Sequence, residues 1–368
     1  MKKIFVTKPY LPPINDFYTR LPEIWKSRIL SNNGPMVSEL ESALSKYLGV
    51  KHISLVSNAT IGLMLSLKAS NIKGEVITSP FSFVATAQAI EWNGLKPVFV
   101  DIEKDSLNID PNKILNAITD NTSAILPIHC YGNVCNVKSI AKIARDNSLK
   151  VIYDAAHSFA AEDSFGSTLS YGDFSVVSFH ATKVFNTFEG GAIISNNIKN
   201  KERVDKLINF SLNHTKDNVD MLGLNGKMSE ISALSGLCQL KYIEEVIEKR
   251  KTIYNKYCDA LSNIKGLNVV EINNDFKNGY SYMPILITED YKYTRDNFHE
   301  HLEKNGIFSR KYFHPLITDF SLYKSSIDEI KEFKNASQAS EQILCLPIYP
   351  ELNDEDFNYI INVIKELE

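Results

Sequence analysis

Short apolar runs rich in Val, Ile and Phe recur at 52–56, 76–78, 97–100, 124–129, 151–153, 174–179 and 192–194, each closing on a polar or turn residue. Continuous runs, rather than strict alternation, predict strands buried on both faces, as in an α/β sheet. The stretches between them read as helices, for example 60–70 and 111–118, the latter opened by the start signal Asp110-Pro111. Seven such strands with intervening helices predict one large α/β domain over residues 1–245, with an N-terminal segment free to pack elsewhere. Beyond residue 225 the texture changes. Residues 228–264 read as one long helix, and the charge run from Glu244 to Lys251 as its solvated face. Runs at 281–287 and 345–348 predict strands of a smaller α+β domain over 246–368, with loops near 312–316 and 347–350.

Composition narrows the class. The chain of 368 residues is 44% hydrophobic and 23% charged, enough apolar material for a large core. A net charge of −4 argues against a dedicated nucleic-acid binder and leaves room for a local basic pocket. No run approaches the roughly 18 apolar residues of a membrane span. The start Met1-Lys2-Lys3-Ile4-Phe5-Val6-Thr7 holds too few apolar residues for a signal-peptide core. A cytoplasmic protein with no membrane partner is therefore expected. The five cysteines (Cys130, Cys135, Cys238, Cys258, Cys345) form no Cys-x-x-Cys pair and read as reduced, mostly buried thiols rather than a metal site.

Two common nucleotide signatures are missing. No Gly-x-Gly-x-x-Gly follows a strand, and Gly226-Lys227 is followed by Met228 rather than Ser or Thr. What remains is a set of polar residues at predicted strand ends. The run 151–153 delivers Asp154 at its carboxyl end, where open α/β sheets place ligands, followed by Ala155-Ala156-His157. Taken alone, Asp154 reads as a cap or turn residue and His157 as a core histidine. The next strand ends in Ser178-Phe179-His180-Ala181-Thr182-Lys183, then Glu189-Gly190-Gly191-Ala192. A lysine in that place either snorkels to solvent or, in a dry cleft, becomes a nucleophile toward aldehydes. Ser57-Asn58-Ala59-Thr60 joins a strand to a helix, which makes either a plain capped turn or a phosphate cradle. Phe83 reads as core or as a ring stacked on a flat cofactor. Together these are a phosphate cradle, a flat apolar face, a carboxylate and a lysine, the parts a pyridoxal 5′-phosphate site needs.

The motifs Asp154-Ala155-Ala156-His157, Ser178-Phe179-His180-Ala181-Thr182-Lys183 and Glu189-Gly190-Gly191-Ala192 resemble the DegT/DnrJ/EryC1/StrS sugar aminotransferases. The resemblance runs from Ser31-Asn32-Asn33-Gly34-Pro35 to Leu346-Pro347-Ile348-Tyr349-Pro350. It implies a fold-type-I enzyme of the aspartate aminotransferase kind, dependent on pyridoxal 5′-phosphate, with a mostly parallel seven-stranded sheet. Carried over residue by residue, Lys183 would be the Schiff-base lysine and Asp154 the partner of the pyridine nitrogen. His157 would contact the phenolic oxygen, Phe83 would stack on the ring, and Ser178 with the amides of Ala59 and Thr60 would hold the phosphate. Ala59 stands where relatives usually have Gly, a change that requires its φ to be negative. Asn225 would reach the phosphate of the neighbouring subunit, which implies a homodimer with shared active sites. Lys227 stands where relatives usually carry Arg. Arg310, Lys311, Tyr312 and His314 could clamp the substrate, a solvated loop being the other reading.

The resemblance implies L-glutamate as donor, 2-oxoglutarate as its product, and a nucleotide-linked keto sugar as acceptor. The run 180–192 is most similar to enzymes that aminate C4 of dTDP-4-keto-6-deoxyglucose. Members that make 3-amino sugars commonly show Ser-Phe-Tyr-Pro-Gly-Lys at the lysine. Members with dehydratase activity lack that lysine, which is present here. A regulator that keeps the fold and binds without turnover is the reading from another class.

Overall fold

The structure is a computed structural model, and it describes residues 2–212, 215, 217–273, 276–324 and 332–367. Its larger sheet contains the strands β1 (Ile53–Val56), β2 (Glu75–Thr78), β3 (Lys96–Phe99), β4 (Thr122–Ile125), β5 (Lys150–Asp154), β6 (Phe174–Ser178) and β7 (Gly191–Ser195). Their spatial order is β1-β7-β6-β5-β4-β2-β3. Only β7 runs antiparallel to its neighbours. Five strands are buried at every position or at all but one, as a sheet covered by helices on both faces requires.

Each predicted run holds a strand, with one notable shortening. The continuous strand in the run 124–129 ends at Ile125; beyond it Ile128 bridges Asp154 and the His129 amide donates to the Asp154 carbonyl before the chain turns at Cys130–Gly132. The helices α1 (Ile14–Ser27), α2 (Pro35–Leu48), α3 (Ala59–Ser70) and α4 (Ala85–Trp92) include the expected one after β1. Asp110 caps Pro111–Asn116 by accepting from the Asn112 amide at 2.8 Å, so that helix starts where expected and ends two residues early.

The single helix expected over 228–264 is instead two, Glu230–Leu240 and Ile243–Leu261, broken at Lys241-Tyr242. The break lets the first piece pack on α1 and α2 while the second changes partners along its length. Ile243, Val246 and Ile247 belong to the core beneath the large sheet, whereas Ile253, Tyr257 and Leu261 belong to a second core. The boundary expected near 245 thus falls inside a continuous helix. That second core covers a three-stranded antiparallel sheet, β8 (Leu267–Val269), β9 (Met283–Ile287) and β10 (Ile343–Leu346) in that order. Ile4 also lies in it, bridged to Ile307, so the N-terminal segment packs away from the large sheet.

The charge run 244–251 is not wholly a solvated face. Arg250 is fully buried, where it donates to the carbonyls of Tyr280 (3.3 Å) and Ile348 (3.2 Å). Burial pushes its guanidinium down to about 10, partly offset by Tyr282 and Glu351. Four of the five cysteines are buried and Cys258 is half-buried. No helix among the described residues is long and apolar enough to cross a membrane.

Candidate active site

β5 and β6 lie side by side and parallel, so Asp154 and Ser178 emerge together at the carboxyl edge of the sheet. They open into a cavity of about 240 Å³ whose wall also includes Ala59, Thr60, Phe83, His157, Lys183, Arg310 and Tyr312. Nine of the twelve site residues expected from the sequence therefore meet in one place.

The N-terminus of α3 forms one end. Asn58 Oδ1 accepts from the Ile61 amide at 2.9 Å, which leaves the first helical amides, Ala59 and Thr60, without an intrahelical acceptor. Ser178 stands beside them, and such a helix end favours an anion. Ala59 is the first helical residue and has no positive φ, so the missing glycine costs nothing here. The glycines the site does need are Gly190 and Gly191. A Cβ on Gly191 would meet the Val177 carbonyl at 2.8 Å and the Ala59 amide at 3.0 Å, and one on Gly190 would strike Thr187 Oγ1 at 2.1 Å. Space rather than backbone conformation explains the Glu189-Gly190-Gly191 motif.

Asp154 is buried, and burial pushes its carboxyl up. Thr86 Oγ1 donates to Oδ2 at 2.8 Å and the Ala156 amide to Oδ1 at 3.2 Å, and both bonds favour the ionised form. A carboxylate held this way suits a cationic partner from outside the chain. His157 is fixed in one tautomer. The Tyr131 amide donates to Nδ1 at 3.2 Å, so in the neutral ring the proton sits on Nε2, and burial keeps the ring neutral. Nε2–H is then a donor like the amide of a glutamine.

Lys183 Nζ donates to the Tyr282 hydroxyl at 3.0 Å. Burial pushes this amine down to about 8, partly offset by Tyr312 and Asp154, while Arg310 acts in the same sense as burial. Neutral amine, the nucleophile, is thus present near neutral pH. Capture of pyridoxal 5′-phosphate by the apoprotein should accelerate as pH rises and level off above about 8, followed as growth of yellow absorbance. A rate that keeps climbing toward the ordinary lysine value of 10.5 would contradict this environment.

Phe83 presents a ring 57% exposed at the cavity wall. Arg310 bonds the Tyr312 hydroxyl, lies 5.3 Å over that ring and pairs with no carboxylate among the described residues. Lys311 and His314 do not reach the cavity: Lys311 pairs with Asp296 at 2.6 Å, and His314 Nδ1 lies 3.2 Å from Ser340 Oγ. Arg310 sits in an antiparallel bridge with Cys345, where successive side chains point to opposite sides and Lys311 is turned away, and the turn closed by the His314 amide on the Lys311 carbonyl at 2.8 Å then carries His314 off. The four residues therefore divide. Asn225 is exposed and outside this cavity, bridged to Asn209. Lys227 donates to Asn209 Oδ1 at 2.8 Å and lies over Phe210.

The sequence reading missed Thr86, Tyr131, Tyr282 and Phe313, which hold or line the site. Phe313 comes from the stretch read as a loop, and nothing in the sequence near the other three sets them apart as site residues.

A profile described as the DegT/DnrJ/EryC1/StrS aminotransferase family matches residues 14–365. The chain belongs to that family. It is 47% identical over 367 residues, 100% of both chains, to a dTDP-4-amino-4,6-dideoxy-D-glucose transaminase of Shigella dysenteriae. It is 49% identical over 358 residues, 96% of each chain, to an Escherichia coli protein of the same name. Among solved structures, DesI in the presence of its TDP-sugar product superposes with a TM-score of 0.95 at 31% identity, covering 100% of this chain and 93% of that one. This DegT/DnrJ/EryC1/StrS member is thus a pyridoxal 5′-phosphate-dependent aminotransferase of α/β fold, and the helix end, carboxylate, imidazole donor and lysine around the cavity fit that cofactor.

Proposed function

We propose that this enzyme moves the amino group of L-glutamate to C4 of dTDP-4-dehydro-6-deoxy-D-glucose, giving dTDP-4-amino-4,6-dideoxy-D-glucose and 2-oxoglutarate. The observation that carries the substrate is near-half identity, over the full length, to two relatives named for that product. The intact set of Lys183, Asp154 and His157 in one cavity supports turnover over a ligand-binding regulator, and Lys183 supports transamination over dehydration.

Bound here, pyridoxal 5′-phosphate supplies an aldehyde that relays the amino group and a ring that withdraws electrons from the reacting carbon. Ala59, Thr60 and Ser178 would hold its phosphate, and His157 Nε2–H would donate to its phenolic oxygen. Asp154, ionised, would keep the ring nitrogen protonated. Lys183 Nζ would hold the cofactor at rest and, when free, would be placed to take the proton from the glutamate Cα and, in the second half-reaction, to deliver one to sugar C4. Arg310, with no carboxylate partner among the described residues and Tyr312 bonded to it, would face the anionic groups of both substrates.

Purified enzyme with glutamate and dTDP-, UDP- or GDP-linked 4-keto-6-deoxy sugar tests the substrate. We expect the highest kcat/KM with the dTDP sugar. Preference for another nucleotide would refute the nucleotide assignment, and water loss without glutamate consumption would mark a dehydratase.

The same reading includes a cytoplasmic homodimer in which Asn225 serves the partner's phosphate site. It is supported by the exposure of Asn225 and by apolar side chains left exposed on and near α1, among them Trp25, Leu30 and Ile231. Loss of one charge-assisted hydrogen bond costs about 1.5–3 kcal/mol, so Asn225→Ala should weaken cofactor binding roughly ten- to a hundredfold. Mixed with Lys183→Ala, it should form heterodimers with one site carrying both lesions and one intact. Regained activity after subunit exchange is the expected result; proven heterodimers without it would leave Asn225 no role across the interface.

A further inference from the structure

We propose that Tyr282 is the positioning residue that receives the amine of Lys183 whenever that nitrogen is not covalently engaged, and holds it ready for proton transfer. The inference rests on the aminotransferase reading above and adds a residue to it.

Tyr282 reaches the cavity from the small sheet, immediately before β9, and its hydroxyl takes the 3.0 Å hydrogen bond from Lys183 Nζ. Among the described residues this is the hydrogen bond that Nζ makes. The segment carrying Tyr282 is tied down on several sides. Arg250 holds the Tyr280 carbonyl, Ser281 Oγ donates to the His157 carbonyl at 2.7 Å, and Asn278 Nδ2 donates to the Gly132 carbonyl at 2.7 Å. The ring itself meets His157 edge to face at 4.7 Å between centroids, Tyr131 at 5.9 Å and Tyr312 at 5.8 Å. A hydroxyl so fixed defines one location for the lysine amine.

The chemistry of the partner matters as much as its place. A carboxylate there would stabilise the ammonium and hinder Lys183 from giving up its proton. Burial pushes the Tyr282 phenol far up, so it stays neutral and protonated and cannot itself serve as a base. A phenol hydroxyl can accept from an ammonium and either accept from or donate to a neutral amine. The contact therefore survives as Lys183 gains one proton from the substrate carbon and gives it up again. The charged and titratable groups facing the amine from the other walls, Asp154, His157, Arg310 and Tyr312, make no hydrogen bond to Nζ.

Tyr282→Phe keeps the packed ring and removes only the hydroxyl, and misplacement of a reacting group by about 1 Å costs up to about a hundredfold. In the holoenzyme we expect kcat to fall about tenfold or more, with KM for glutamate little changed. The primary isotope effect with Cα-deuterated glutamate should rise as proton transfer becomes slower. A second readout needs no turnover: capture of pyridoxal 5′-phosphate by the apoprotein, followed by absorbance, should slow as well. The melting temperature and the amount of cofactor retained should match the wild type. Wild-type kcat, isotope effect and capture rate in Tyr282→Phe would overturn the proposal. So would a joint loss of melting temperature and cofactor, which would mark a purely structural residue. If the wild type transaminates no sugar, the function proposed above fails, while the capture comparison still decides the role of Tyr282.

Discussion

Lys183→Ala should abolish turnover while leaving a protein that still binds pyridoxal 5′-phosphate. The lysine is the one nucleophilic amine lining the cavity among the described residues, and its lowered proton affinity arises from burial at that place. In the proposed function covalent anchoring and proton transfer would both depend on Nζ, so removing it would remove two functions at once. The remaining contacts are independent of it: the free amides of Ala59 and Thr60, the Ser178 hydroxyl, Asp154 and His157. Cofactor should therefore co-purify or rebind on addition, with the absorbance of free aldehyde rather than of the lysine-bound form. Steady-state activity near wild type in a clean preparation would refute the role of Lys183.

Asp154→Asn should slow the glutamate half-reaction by at least about a hundredfold, the scale of losing a positioned charge in a dry site. The amide is the same size but cannot hold a protonated ring nitrogen, so the electron-withdrawing power of the cofactor falls. Stability should move the other way. Because burial raises the Asp154 pKa, ionising it costs the empty folded protein stability as pH rises above the unfolded value. The neutral amide lacks that cost, so the apoprotein of the variant should melt at the same temperature or higher at neutral pH. Rapid-mixing absorbance and thermal melts measure the two effects separately. A half-reaction near the wild-type rate would reduce Asp154 to a turn residue bonded to Thr86 and Ala156.

The sheet was legible because its strands are buried on both faces, and continuous apolar runs mark such strands directly. Asp154, Ser178 and Lys183 were legible because each stands at or just beyond the end of such a run. Tyr282 was not. Its partner Lys183 is 99 residues away along the chain, and nothing local distinguishes a tyrosine that touches a reacting amine from one that fills a core. Thr86, 68 residues before Asp154, is hidden for the same reason. Lys311 and His314 were grouped with Arg310 and Tyr312 by adjacency, yet an extended backbone sends Lys311 to the opposite side and a turn closed between Lys311 and His314 takes His314 away. Arg250 was read with its charged neighbours on the helix, while the fold uses it inside to hold two carbonyls.

These residues also divide the chemistry from the choice of substrate. In the proposed function Asp154, His157, Lys183 and Tyr282 would act at the cofactor and would serve many amino acceptors. Where the nitrogen ends on the sugar depends on how the acceptor is oriented against the cavity mouth, where His180, Glu189, Arg310 and Tyr312 stand. His180 lies within 3.6 Å of Glu189 and 2.8 Å of Thr182 Oγ1, so that wall is itself bonded together.

The most direct test is to incubate the enzyme with ¹⁵N-glutamate and dTDP-4-keto-6-deoxyglucose and to locate the nitrogen in the product by NMR. The account predicts ¹⁵N bonded to C4 of the dTDP-linked sugar, with one 2-oxoglutarate released per amino group. Nitrogen at C3, or a sugar product without ¹⁵N, would contradict it.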